Sequence, residues 1–214
     1  MMNQEPLKLI GSVNGVVQDD WTTIGEACKR GASFVRKYYK IGDTISVVVS
    51  GEGRIDYEII GFGVQDKADG TGKAAISWFP KSLLKTLKYW NSTKTTSGGW
   101  AASDLRSYMN NDIFAKFPAD LQSVITPVAN PNDQGGTTTD KVWTVSKAEC
   151  ESGGIFNSKF GTNAQRLRKR KGSIDCWWTR TVYNSSQSYF VNLNGGITGF
   201  YTNDNVGVAP GFAT

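Results

Sequence analysis

Short β-forming runs joined through glycine constrain the fold of this chain more than any other feature. Residues 45–49 (ISVVV) and 55–62 (IDYEIIGF) are rich in β-branched and aromatic residues, and the SGEG segment between them contains the glycines of a turn. This pattern predicts an antiparallel hairpin. A further strand is predicted at residues 74–79, closed by Pro80.

Short helical patterns alternate irregularly with these strands. Asp20 is placed to cap a helix that begins at Trp21, Ser103 is placed to cap a second, and Pro118 is placed to open a third. The SKAE segment at residues 146–149 is a capping box, which predicts one more helix.

No sequence period repeats along the chain, and no linker divides it. We predict a loop at residues 130–140 and a strand at residues 141–145. The fold class is therefore α+β, in a single domain spanning residues 1–214, with residues 1–18 as an N-terminal extension.

The amino-acid composition excludes several classes of function, although it says less about the fold. The chain contains no histidine, which removes histidine-based triads, histidine-ligated metals and the usual general base. Cys28, Cys150 and Cys176 form no Cys-x-x-Cys pair, so neither a disulfide framework nor a thiolate zinc site is predicted. We expect a protein that is not an enzyme and that has no cofactor or metal. Residues 65–72 have the Asp/Gly character of a calcium loop, but a tight turn accounts for the same residues, and calcium is the lesser alternative.

The first residues, the apolar runs and the net charge of the chain allow predictions about targeting, membrane insertion and nucleic-acid binding. The first residues lack a basic stretch followed by an apolar one, so no signal peptide is predicted, and no apolar run is long enough to span a membrane. We expect synthesis in the cytoplasm, with assembly into a phage particle or display on a surface as later fates. The net charge is +5, much of it in residues 166–171 (RLRKRK). That run contains no aromatic residue to stack a base, so we favour a solvated loop over nucleic-acid binding.

Several large aromatic and arginine residues are predicted to be structural. Trp100 precedes a capped helix that carries Arg106, an arrangement suited to fastening the helix to a sheet. Arg180 offers a planar fork for backbone carbonyls or a carboxylate. The predicted structural set is Trp100, Arg106, Trp143, Trp177, Trp178 and Arg180.

An ordered set of short motifs resembles a known domain. The motifs are GW at 99–100, SDLR at 103–106, TTTDKVW at 137–143, WWTR at 177–180 and GVAPGF at 207–212. Over roughly residues 20–213, they resemble an uncharacterised domain common in gut bacteria and their phages. Typical members have WLRS where this chain has WTRT, and GVRP where it has GVAP.

That domain in turn resembles the C-type-lectin-like fold of formylglycine-generating enzymes and of the variable proteins of diversity-generating retroelements. The resemblance implies short helices packed on small twisted antiparallel sheets. In the variable proteins, a C-terminal stretch rich in Asn, Tyr, Ser, Thr and Asp is rewritten and displayed as a ligand-binding face. One known use is a phage tail tip that selects a host receptor. The corresponding region here is 177–214.

Residues 181–205 fit such a surface. They include 14 Asn, Ser, Thr and Tyr among 25 residues, and the only charged residue is Asp204. Tyrosine offers contact area at low entropic cost, and Ser, Asn and Gly adapt their hydrogen bonding. The candidate ligand-binding residues are Tyr183, Asn184, Ser186, Ser188, Phe190, Asn192, Asn194, Thr198, Phe200, Tyr201, Asn203 and Asn205.

A strand-register argument assigns faces to this segment. A three-residue hairpin loop at 194–196 would turn one set of side chains towards the core and another towards solvent. The inward set is Tyr189, Val191, Leu193, Ile197 and Tyr201, and the outward set is Phe190, Asn192, Thr198, Phe200 and Thr202.

The preferred function is therefore non-catalytic recognition of a protein or glycan on a cell surface, as in host recognition by a phage tail or an adhesin. Three alternatives stay open: a relative of the formylglycine-generating oxidases, a structural tail component, and hairpin turns that bind nothing. The oxidase branch uses copper held by paired cysteines, whereas Cys176 stands 26 residues from Cys150. Homo-oligomerisation is also left open.

Overall fold

A six-stranded sheet with strand order β1-β2-β3-β4-β5-β13 forms the largest layer of the fold. The computed structural model describes residues 7–151 and 154–214. The strands of this sheet are β1 (Ser12–Val13), β2 (Val16–Val17), β3 (Thr44–Val49), β4 (Gly53–Phe62), β5 (Ile76–Pro80) and β13 (Phe212–Ala213). All neighbours are antiparallel except β2 and β3. The hairpin predicted for residues 45–62 is confirmed as β3 and β4.

Seven further strands of the described residues form three small antiparallel sheets. One sheet has the order β10-β11-β12, and the others pair β6 with β7 and β8 with β9. Their bounds are β6 (Val128–Pro131), β7 (Thr137–Asp140), β8 (Arg168–Arg170), β9 (Ser173–Asp175), β10 (Trp177–Asn184), β11 (Gln187–Val191) and β12 (Ile197–Tyr201).

The helices are short, and those predicted from caps are present. The α-helices are α1 (Trp21–Cys28), α2 (Ala32–Val35), α3 (Asp104–Tyr108), α4 (Phe114–Lys116), α5 (Ala119–Val124), α6 (Lys147–Cys150), α7 (Asn157–Phe160) and α8 (Asn163–Arg166), with a 3-10 turn at Gly99–Ala102 and a π turn at Met109–Ile113. Asp20 caps α1 and Ser103 caps α3 through their side chains, and Ser146 forms the predicted capping box with Glu149. Mixed α+β architecture is thus confirmed. No helix among the described residues is long and apolar enough to cross a membrane.

The N-terminal segment is part of the main sheet rather than a separate extension. Of the predicted extension at residues 1–18, residues 12–17 form β1 and β2, and residues 1–6 lie outside the described residues. The buried carboxylate of Asp19 holds this segment, because it accepts hydrogen bonds from Ile10 N at 2.8 Å and Gly11 N at 2.7 Å.

The strand predicted at residues 141–145 is wrong, and of the loop predicted at 130–140 only residues 132–136 form a turn. The strands are β6 and β7, and Trp143 makes only an isolated bridge to Gly211. The Asn110 amide oxygen accepts from Lys141 N at 2.7 Å and from Val142 N at 3.2 Å. These backbone donors are therefore taken by a side chain from the helical region rather than by a neighbouring strand.

The solvated loop predicted for residues 166–171 is also wrong, because Arg166 and Arg168 are buried. Arg166 donates to the carbonyls of Gly195, Cys150 and Phe160. Arg168 donates to Pro80 O at 2.9 Å and pairs with Glu58 at 3.4 Å. Each guanidinium carries several fixed donors, so it can join separate carbonyls that no backbone ladder reaches.

Candidate ligand-binding surface

The sheet formed by β10, β11 and β12 carries most of the candidate surface. Tyr189 pairs with Gly199, and Phe190 lies between Trp178 and Thr198 in the register. Tyr189, Val191, Ile197 and Tyr201 share one face as predicted from alternation. The turn differs from the predicted three-residue loop, because the last pair before it is Val191 with Ile197.

The predicted assignment of buried and exposed side chains is wrong at several positions. Phe190, Ser188 and Thr202 are buried, whereas Leu193 and Tyr201 are exposed. Alternation fails because neighbouring elements cover both faces near one end of the sheet. Phe190 packs on Trp178 on one face, while Val191 and Trp177 lie in a separate core cluster. Ser188 and Phe190 are therefore not available to a ligand in this conformation.

Phe200 lies at the margin of an aromatic cluster beneath the sheet. Its ring centroid is 4.9 Å from Phe190 and 6.3 Å from Trp178. It remains 37% exposed, while Phe190 is 8% exposed. Contacts with Phe190 and Trp178 therefore cover one face of the Phe200 ring.

The opposite face presents three tyrosines, Tyr183, Tyr189 and Tyr201, which we call the tyrosine platform. Tyr183 and Tyr201 are 50% and 43% exposed. Tyr183 contacts Tyr189 edge-on, with centroids 5.0 Å apart. The Tyr183 ring lies against the backbone of Gly199, where an added Cβ would stand 2.3 Å from Tyr183 Cδ1. Glycine at that position therefore allows the ring to lie close against the strand.

Two lysines flank the platform. Lys94 Nζ lies 4.2 Å from the ring centroid of Tyr201, and Lys147 Nζ lies 5.4 Å from that of Tyr189. Each such cation–π contact contributes about 0.5–1 kcal/mol of attraction between the lysine and the ring when the pair is exposed to solvent. Neither lysine was predicted as a site residue, because each approaches the platform from a distant part of the chain and no local pattern marks it.

Some predicted contact residues are engaged in turns. Asn192 Oδ1 accepts from Asn194 N at 2.9 Å and Gly196 N at 3.0 Å. Asn184 Oδ1 accepts from Ser186 N at 3.0 Å. The exposed members of the predicted set are Tyr183, Asn184, Asn194, Thr198, Phe200, Tyr201, Asn203 and Asn205, and Ser186 and Asn192 are half-buried. The structure supports a smaller surface than the sequence predicted, with the tyrosines at its centre.

A cleft of about 610 Å³ opens beside the platform, between β6, α6 and β10. Arg180 and Glu149 contribute to its lining and form a buried ion pair. Arg180 Nη2 donates to Glu149 Oε1 at 2.6 Å, and Arg180 Nη1 donates to Thr144 O at 2.9 Å. Burial is the largest single influence on the pKa of Arg180 and lowers it, but Glu149, Asp140 and Cys150 together outweigh burial, so the net pKa is raised.

The buried carboxylate of Asp140 joins four structural elements behind this cleft. It accepts from Trp100 Nε1 at 2.9 Å, Arg106 Nε at 2.6 Å, Asn130 Nδ2 at 2.8 Å and Thr138 Oγ1 at 2.7 Å. These donors belong to the 3-10 turn, α3, β6 and β7. Trp143, Trp177 and Trp178 are fully buried, so the predicted structural residues lie in or against the core.

The three cysteines are free, and no group of residues in 7–151 and 154–214 has the composition of a metal site. Burial raises the pKa of Cys28 to about 11 and also raises the pKa of Cys150 and of Cys176. Since the thiolate is the nucleophile and the metal ligand, these surroundings disfavour thiol chemistry.

We expect Cys28 to react with iodoacetamide about a hundredfold more slowly than an ordinary thiol near neutral pH, because a pKa of about 11 instead of 9.0 lowers the thiolate fraction by that factor. Alkylation rates measured by mass spectrometry across a pH series test this, with the protein unfolded in guanidinium as the control. Fast labelling of the folded protein that levels off below pH ~9 would contradict it.

Residues 77–213 match the family described as Domain of unknown function (DUF6273). The chain belongs to the DUF6273 family. The matched part of the chain contains the tyrosine platform, the Arg180–Glu149 pair and the Asp140 network, whereas β1 to β4 precede it. No curated protein and no solved structure matches the chain.

Proposed function

We propose that this DUF6273 protein is a non-catalytic recognition module whose tyrosine platform binds a protein or glycan on a cell surface. The observation that carries the proposal is the exposure of Tyr183 and Tyr201 on a sheet whose other face is fixed by Trp178 and Phe190. Exposed aromatic rings on a rigid support give large contact area with little loss of side-chain entropy on binding.

We further propose that the fold is C-type-lectin-like and that the C-terminal region serves as the variable face of a diversity-generating system. Short helices packed against small antiparallel sheets support this fold, as does the placement of the platform on a separate three-stranded sheet. The neutral, Asn- and Tyr-rich composition of residues 181–205 supports the variable face. Assembly into a phage tail or display as an adhesin belongs to the same proposal.

One observation favours a second candidate, a set of hairpin turns that binds nothing. Asn184 and Asn192 satisfy turn backbone donors, and Phe190 is buried, so part of the unusual composition serves the fold. Turn formation does not account for the partial exposure of Tyr183 and Tyr201. Ligand binding is therefore the better account of the platform.

The proposal predicts that the double variant Tyr183→Ala/Tyr201→Ala loses binding by about thirtyfold or more, the effect of removing central aromatic contacts. Binding is measured on glycan arrays and on intact bacterial cells. Tyr38→Ala is the matched control, because Tyr38 is also partly exposed but lies before β3, outside the platform. Equal binding by the wild type and the double variant would overturn the proposal.

The diversification part of the proposal has a separate test in the flanking DNA. A near-copy of the region encoding residues 177–211, beside a reverse transcriptase gene, is expected. Absence of both from the complete flanking sequence would contradict diversification without affecting the binding result.

A further inference from the structure

The cleft and the tyrosine platform form one continuous surface. Lys147 belongs to both, because it lines the cleft and its Nζ approaches the Tyr189 ring. Its backbone N–H donates to Thr181 Oγ1 at 2.9 Å. Asp133, on the other wall, accepts from Val182 N at 2.7 Å, one residue before Tyr183. A ligand that lies on the platform therefore has a neighbouring recess for its end.

Six of the seven charged residues that line the cleft are paired with one another, and the seventh, Asp133, accepts a hydrogen bond from Val182 N. Glu149 pairs with Arg180, Glu151 pairs with Lys147, and Asp66 pairs with Lys73. A charged ligand group that enters a partly enclosed site needs an opposite charge to offset its loss of hydration. Three acid–base pairs cancel within the cleft and the carboxylate of Asp133 remains, so the lining disfavours an anionic ligand and holds no cation free to pair with one.

The remaining lining combines apolar side chains, among them Val64, Pro131 and Ile155, with polar groups suited to hydroxyls. It includes the amides of Gln65 and Asn130 and the hydroxyls of Ser146 and Thr181. Two buried donors of lining residues, Gln65 Nε2 and Arg180 Nε, have no hydrogen-bond partner within residues 7–151 and 154–214. Both atoms have almost no solvent-accessible surface, so they add to the polarity of the wall without offering a ligand a direct contact.

We infer that the cleft binds the end of a neutral saccharide chain whose following rings lie on the tyrosine platform. A sugar ring offers hydroxyls that both donate and accept, together with an apolar C–H face that packs on an aromatic ring. A volume of about 610 Å³ falls within the usual range for small-ligand sites, about 300–1,000 Å³.

This inference rests on the proposed recognition function and narrows it to one ligand class. The decisive variant is Ala148→Trp, because Ala148 lines the cleft from an exposed position on α6 and the larger side chain would occupy the recess. Ala119→Trp is the matched control, since Ala119 is exposed at the start of α5 and outside the cleft lining.

The experiment applies both variants and Tyr183→Ala to an array of short neutral oligosaccharides, followed by calorimetric titration of the oligosaccharides that the wild type binds. We expect Ala148→Trp and Tyr183→Ala each to weaken binding at least about tenfold, and Ala119→Trp to leave it unchanged. Far-ultraviolet circular dichroism and the thermal midpoint confirm that each variant is folded. A folded Ala148→Trp that binds as the wild type does would overturn the cleft assignment.

The same experiment separates failure of this inference from failure of the recognition function. Binding to bacterial cells that survives periodate oxidation of their glycans but is lost on protease treatment would overturn the saccharide inference and keep the recognition function. Absence of binding to oligosaccharides, cells and extracted surface proteins alike would overturn both.

Discussion

Replacement of Asp140 by Asn is expected to lower the free energy of unfolding by about 3–5 kcal/mol. The carboxylate is completely buried and accepts from Trp100, Arg106 and Thr138, among others. In asparagine an NH2 group, which only donates, replaces one of the two acceptor oxygens that these donors need. The substitution also removes the negative charge that offsets the Arg106 guanidinium. Several buried donors then lack an acceptor at once, and each such donor costs about 1–3 kcal/mol.

Urea unfolding followed by tryptophan fluorescence measures this effect. Asp112→Asn is the matched control, because Asp112 is exposed on the π turn, and we expect a change within about 0.5 kcal/mol. Thr138→Val removes a single donor from the same network and should cost about 1 kcal/mol. A loss below 1 kcal/mol for Asp140→Asn would show that the network rearranges without Asp140.

Features that depend on contacts between neighbours in the sequence were predictable. The Asp20 cap, the Ser103 cap and the Ser146–Glu149 capping box each use a hydrogen bond three residues apart. The hairpin of β3 and β4 depends on a short turn between two β-rich runs. Such interactions are encoded within a few residues, so their pattern is visible in the sequence alone.

Features that depend on distant partners were not predictable. The strand prediction at residues 141–145 failed because an amide from Asn110 occupies the backbone donors there. The basic run was interpreted as solvated because the carbonyl acceptors of Arg166 and Arg168, at Gly195 and Pro80, lie far away in sequence. Composition shows how many charges a segment carries, but the tertiary fold decides which of them find buried partners.

The candidate ligand-binding surface likewise has some features that the sequence predicts and others that it does not. The neutral, aromatic composition of this surface is evident from the sequence, and Tyr183 and Tyr201 are exposed. The burial of Phe190 was missed, because it depends on Trp178 and on a cover that alternation along one strand does not reveal. The cleft was missed altogether, since β6, α6 and β10 are separate in the chain.

Separating Arg180 from Glu149 is expected to destabilise the protein as strongly as the Asp140 change. Both side chains are largely buried, so Arg180→Met leaves an uncompensated carboxylate and Glu149→Met leaves an uncompensated guanidinium. Each single variant should lose about 3–5 kcal/mol in the free energy of unfolding. The double variant should lose much less than the sum, because two apolar side chains of similar volume pack together without a buried charge.

Chemical denaturation of the wild type, both single variants and the double variant gives the coupling energy directly. Additive losses would contradict a specific pair and would mean that Arg180 acts mainly through its bond to Thr144 O. The double variant also separates stability from recognition, because it removes the polar floor of the cleft while the tyrosine platform stays outside the changed positions. If the cleft binds a saccharide, a folded double variant should bind oligosaccharides at least about tenfold more weakly than the wild type.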